Sequence, residues 1–174
     1  MSRPQVVATI TVAVGLTSVA LALVTAGNHN MSKPPHHATP AFDVVKTDAE
    51  WKATLTPVQY AVLRHHDTEF AGTSPLLDEH RSGTFVCAGC GQPLFSADTK
   101  YESGSGWPSF YASMDQAVGA TEERTAGMVR VEIHCSRCGG HLGHVFPDGP
   151  KPTGTRYCTN GVALTFKAGE ESPR

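Results

Sequence analysis

Four of the five cysteines fall into two CxxC pairs, Cys87-Ala88-Gly89-Cys90 and Cys135-Ser136-Arg137-Cys138. No other feature constrains the fold as much. Two such knuckles offer four thiolates to one tetrahedral ion, and zinc is the usual occupant. The 44 residues between the pairs are too many for a compact zinc finger. Tertiary structure must therefore bring the pairs together and clamp two distant hairpins. Two disulfides are the alternative in an oxidising compartment. A thioredoxin-like redox pair is a third reading, but no βαβ pattern flanks either motif. The duplicated knuckle favours zinc. Bound thiolates cannot also attack a substrate, so Cys158 is the only thiol left for chemistry.

The pattern around the knuckles is mainly β, with a short helical lead-in at the N-terminal side. Thr47-Asp48-Ala49-Glu50 and Thr56-Pro57-Val58-Gln59 each fit a capping box, and Pro57 sits where its missing N–H costs nothing. The second helix should run to about His65, with Trp51, Leu55, Tyr60 and Leu63 as core contacts. Strands are expected at 84–86, 93–95 and 128–135, and again where Val162, Leu164 and Phe166 alternate. In the third, Val129, Val131 and Ile133 should face the core, and Arg130, Glu132 and His134 the solvent.

Residues 1–26 carry a run without charge from Val6 to Ala26, 21 residues long. About 20 apolar residues span a bilayer as a helix. Arg3 precedes the run and Lys33 is the next basic side chain, which places the N-terminus inside and the rest at the periplasmic or exterior side of the cytoplasmic membrane. A cleaved signal peptide is the rival reading, because Val24-Thr25-Ala26 is an acceptable cleavage site, although its apolar core would be shorter. A start at Met31 would make the protein cytoplasmic. Residues 27–43 read as a linker rich in Pro and His, in which His36-His37 is a solvated pair rather than a metal site. Residues 44–169 form one domain of ordinary size, and 170–174 a polar tail. The net charge of −2 gives no basic surface, which argues against nucleic acid as a partner. A monomer is expected.

A lone cysteine is usually a small buried hydrophobe. Cys158 has unusual neighbours in Arg156-Tyr157-Cys158-Thr159-Asn160. Arg156 can stabilise developing negative charge, and Asn160 carries amide donors. Gly139-Gly140-His141-Leu142-Gly143-His144 supplies two histidines on what reads as a glycine-rich loop. A cysteine with histidines elsewhere in the chain is a candidate nucleophile arrangement. Trp107, in Gly104-Ser105-Gly106-Trp107-Pro108-Ser109-Phe110, is either a core plug or the wall of a small apolar pocket that would take a methyl or thioether group.

Taken in order, these motifs resemble the B-type methionine-R-sulfoxide reductases. The resemblance spans about Val44 to Lys167. It rests on Arg64 with Thr68-Glu69, on 87–95 and 106–110, and on Cys135 and Cys138. It continues through 141–146, Asp148-Gly149-Pro150 and Arg156-Tyr157-Cys158. It implies two antiparallel sheets with one structural zinc per chain, held by Cys87, Cys90, Cys135 and Cys138 and remote from the active site. Cys158 would be the nucleophile. Trp107, with Phe110, would bind the substrate's methyl end, and His141, His144, Arg156 and Asn160 would surround the sulfoxide oxygen. Substrates would be oxidised proteins and peptides carrying the R epimer. Many members place a resolving cysteine before the tryptophan, where this chain has Ser105. A thioredoxin-like protein or a small thiol would then have to reduce Cys158 directly. Two readings compete from other classes, a non-catalytic binding module on the same scaffold and a zinc-ribbon adaptor.

Overall fold

The computed structural model describes residues 42–125 and 127–169. The candidate anchor or signal, nearly all of the linker and the tail lie outside the described residues. Among those described, no helix is long and apolar enough to cross a membrane.

Two short helices open the domain, α1 (Asp48–Thr54) and α2 (Pro57–His65). Both expected capping boxes form. The Thr47 hydroxyl accepts from Glu50 N–H at 3.3 Å while the Glu50 carboxylate accepts from Thr47 N–H at 2.7 Å. Thr56 and Gln59 repeat the exchange at 3.2 and 3.1 Å. Each cap is worth about 1 kcal/mol, which matters for helices of two turns. α2 stops at His66, which takes the left-handed conformation at φ 58°. Trp51, Leu55 and Leu63 are buried as expected, together with Val62, whereas Tyr60 packs only partly against the core.

Among the described residues nine strands follow: β1 (Gly83–Cys87), β2 (Pro93–Ser96), β3 (Lys100–Tyr101), β4 (Ser109–Phe110), β5 (Val118–Thr125), β6 (Met128–Cys135), β7 (His141–Phe146), β8 (Arg156–Thr159) and β9 (Leu164–Ala168). They form two antiparallel sheets, β2-β1-β9 and β3-β4-β8-β7-β6-β5. The sheets meet through phenylalanines. Phe95 of β2 stacks on Phe110 of β4 with centroids 4.3 Å apart, and Phe85 of β1 meets Phe110 edge-on at 5.0 Å.

Two expectations need correction. The segment from His141 to His144 is strand, not loop, because pairing on both sides by β6 and β8 outweighs the glycines. Gly143 is needed there, since a Cβ would collide with the Cys158 carbonyl. The alternation of β6 also fails. Val129 is 57% exposed while Glu132 is buried. The β5–β6 hairpin runs past the edge of the core at its tip, and the segment after α2 covers Glu132 from the other side.

Directly paired residues in a sheet share a face. One row across the large sheet therefore reads Glu132, His144, Cys158, Ser109. The adjacent row, Val131, Val145, Tyr157, Phe110, points the other way, toward the core.

Candidate active site and metal centre

Cys87 and Cys135 end β1 and β6, and each enters the same kind of turn. Gly91 N–H donates to Cys87 O at 2.8 Å and Gly139 N–H to Cys135 O at 2.9 Å, with both glycines at positive φ. The turns bring the four sulfurs within 4.8 Å of one another, with Cys87 to Cys138 at 3.7 Å and Cys90 to Cys135 at 3.5 Å. No disulfide joins them. Hydrogen bonding inside the cluster, from Cys135 first, holds Cys87 and Cys138 above the ordinary thiol range and Cys90 below it. Four buried or half-buried thiols in this space cannot all ionise without a cation among them. The donor set and spacing fit a structural zinc.

A cavity of about 230 Å³ opens on the polar row, lined by Thr68, Trp107, Arg130, His144, Phe146, Cys158 and Asn160 among others. None of the four paired cysteines reaches it. Cys158 is half-buried on β8, directly opposite His144. Trp107 sits on the loop before β4 and donates its indole N–H to Glu69 O at 3.1 Å. The Glu69 carboxylate in turn accepts from the N–H groups of Gly161 and Val162, just past Cys158. One buried acid thus ties the indole loop to the end of the strand that carries Cys158. Burial pushes the Glu69 carboxyl up, against the lowering by those two N–H groups.

The expected oxygen-binding residues divide. His144 lines the cavity and meets Glu123 at 3.3 Å; burial lowers its pKa more than the Glu123 bond restores it. Asn160 also lines it, with Oδ1 accepting from Glu69 N–H at 3.0 Å and Nδ2 donating to Leu142 O at 3.2 Å. Arg156 lies outside the lining. It is clamped by Asp148 at 2.8 and 2.9 Å and rests over the Phe146 ring. His141 is behind the lining, almost wholly buried, with Nδ1 2.7 Å from Glu132. Phe110 is a correction. It belongs to the core row and is fully buried against Phe95 and Phe85, because the pleat turns it away from Ser109 and Cys158. Ser105 lies at the cavity's edge, its Oγ 3.8 Å from Cys158 Sγ.

Sequence reasoning missed Arg130 and Phe146 as cavity residues, and Glu132 and Glu123 as partners of histidines. The signal was present in β6, whose alternate positions Arg130 and Glu132 are polar and pair with strands bearing Glu123 and His144.

A SelR domain model matches residues 55–168. The chain is similar to the "Peptide methionine sulfoxide reductase MsrB" of Leptospira interrogans, 56% identical over 127 residues, which is 72% of this chain and 97% of that protein. It is similar to the protein of the same name from Thiobacillus denitrificans, 55% identical over 125 residues, 71% of this chain and 95% of that one. The protein of that name from Methanosarcina barkeri is 55% identical over 130 residues, 74% of this chain and 91% of its own length.

Proposed function

This chain belongs to the SelR-domain family, and we propose that it reduces methionine-R-sulfoxide in oxidised proteins and peptides back to methionine. One observation carries the reading: Cys158, His144 and Trp107 converge on a single small cavity. The indole suits the methyl and thioether end of the side chain. The thiolate of Cys158 attacks the sulfoxide sulfur, and a histidine of the site protonates the oxygen as the S–O bond breaks. Methionine leaves, and the oxygen remains on Cys158 as a sulfenic acid. The Arg156 guanidinium, held in place by Asp148, is a fixed positive charge two residues from Cys158 on β8. Zinc would be held by Cys87, Cys90, Cys135 and Cys138, and supplies folding free energy rather than a chemical step. The test is a thiol-driven assay on the two separated methionine sulfoxide epimers. Turnover of the R epimer alone is expected, and no turnover of it by zinc-loaded, folded protein would exclude this function in favour of a binding module.

Recycling depends on Ser105, whose hydroxyl stands beside Cys158 where a resolving thiol would be useful. The other four thiols are gathered in the metal cluster. An external thiol, from a thioredoxin-like protein or a small molecule, therefore reduces the sulfenic acid. After one turnover without reductant, mass spectrometry should find one added oxygen on Cys158, trapped by a dimedone-type probe. A disulfide from Cys158 to one of the four paired cysteines would refute both this cycle and the permanent zinc site.

The charge-free run of residues 6–26 supports a location at the cytoplasmic membrane facing outward, or export. Full-length, uncleaved chain in the cytosolic fraction would rule this out. The domain acts as a monomer, which sedimentation can check.

A further inference from the structure

Glu123 and Arg130 stand directly opposite each other on β5 and β6. An ion pair across two strands near a hairpin tip is ordinarily a surface feature worth about 0.2–1 kcal/mol. This pair has a third member. One carboxylate oxygen, Glu123 Oε2, lies 3.3 Å from His144 Nε2 and 3.6 Å from Arg130 Nη2. The His144 side chain is 16% exposed and that of Glu123 27%, so their contact is largely shielded from water. The register explains the meeting. Glu132 pairs with His144, and Arg130 lies two residues before Glu132, so both β6 side chains share the face that carries His144 and Cys158. Arg130 and His144 line the same cavity as Cys158.

The two charges act on the imidazole in opposite senses. A carboxylate in hydrogen-bond reach favours the imidazolium, and a guanidinium beside it disfavours it. Burial lowers the pKa of His144, the Glu123 hydrogen bond raises it, and the Arg130 charge lowers it again. The other titratable groups facing His144 are His141 on its own strand, whose ring is 5.7 Å away, and its partners across the ladder, Glu132 on β6 and Cys158 on β8. Neither Glu123 nor Arg130 is needed by the core, since both side chains are partly exposed on a hairpin that runs past its edge.

We propose that Glu123 and Arg130 govern His144 as a pair: Glu123 is a positioning residue that holds the imidazole and favours its protonated form, and Arg130 is the opposing charge at the cavity wall. The inference rests on the reductase reading above, and it makes His144 the histidine that protonates the sulfoxide. In the step, the Cys158 thiolate gives two electrons to the sulfoxide sulfur, the sulfoxide S–O bond breaks and a Cys158 S–O bond forms. The His144 imidazolium gives one proton to the transferred oxygen, leaving sulfenic acid, methionine and a neutral His144. An acid works best when its proton is held neither too firmly nor too loosely near the working pH. Glu123 alone would hold it firmly, and Arg130 offsets that hold.

Glu123→Gln keeps the size and an acceptor oxygen but removes the charge. The alkaline limb of its kcat–pH profile should move to lower pH, because the imidazolium loses its counter-charge. On that limb kcat should fall about tenfold, a fraction of the ~10²–10⁴ that a whole general acid contributes. Arg130→Met should move the limb the other way, to higher pH, and the double variant should bring it back toward the parent. Glu122→Gln is the control. Glu122 lies on the opposite face of β5, pairs with Arg124, and its loss should leave the limb in place. An NMR titration of the His144 ring, its signal identified by loss in His144→Gln, should show the same shifts without turnover. A limb and a ring titration unmoved in Glu123→Gln would overturn the proposal. So would equal movement in Glu122→Gln, or movement of both Glu123→Gln and Arg130→Met in one direction, the mark of a loosened hairpin rather than of opposed charges. Failure of the wild-type enzyme on the R epimer would instead overturn the reductase reading and leave the ring titrations standing.

Discussion

Cys158→Ser should abolish sulfoxide reduction, lowering kcat by ~10⁴ or more, the scale on which loss of a covalent nucleophile is measured. A serine hydroxyl is nearly the size of a thiol but is not ionised near neutrality and is a poor attacker of sulfur. No neighbouring thiol can replace it, because the other four are gathered in their own cluster outside the cavity. The substitution is also structurally mild. Cys158 is half-buried on β8, and its paired neighbours Ser109 and His144 are held by the strand ladder rather than by the sulfur. Zinc content and melting temperature should therefore match the parent protein. That combination separates loss of chemistry from loss of fold. Activity above a few per cent of the parent would place the nucleophile elsewhere.

Local rules explain what could be read from the chain. A capping box is decided by four consecutive residues, so both helix starts were legible. A CxxC knuckle is decided by two sulfurs and a turn, so the gathering of four sulfurs was legible too. The face of the sheet on which a residue lies is decided by pairing across strands, and there the sequence is silent. Phe110 looks like a neighbour of Trp107 in the chain, yet the pleat sends it into the core beside Phe95. His141 and His144 look alike in sequence, but the register slip between Ile133 and His134 separates their roles. One lines the cavity with Glu123 behind it, and the other is buried on Glu132. Arg130 and Glu132 looked like solvated positions on an edge hairpin. Glu132 is covered because the segment after α2 packs on that part of β6, a contact between residues more than sixty apart in the chain, whereas Arg130 stays exposed and yet lines the cavity.

Removing one zinc ligand should cost more stability than any other single change in the domain. Cys90→Ser is the informative choice, since Cys90 is the least buried of the four and its replacement leaves little packing defect. Structural zinc in small domains binds with an apparent ~10–16 kcal/mol, whereas a whole domain is stable by only ~5–15 kcal/mol. The cluster joins the end of β1, in the small sheet, to the end of β6, in the large one. Arg64 of α2 donates to Cys138 O at 3.1 Å, and Leu63 packs near Gly89 and Gly140 of the two turns. Opening the cluster therefore loosens both sheets and the second helix together. The parent protein should carry about one zinc per chain by ligand count. Cys90→Ser should lose most of it and unfold at or below physiological temperature. Acid should mimic the substitution, because protons compete with zinc for the thiolates as pH falls. A metal-free parent protein with two intramolecular disulfides would contradict the assignment. So would a Cys90→Ser protein that melts within a degree or two of the parent, since the zinc could not then be what holds the two sheets together.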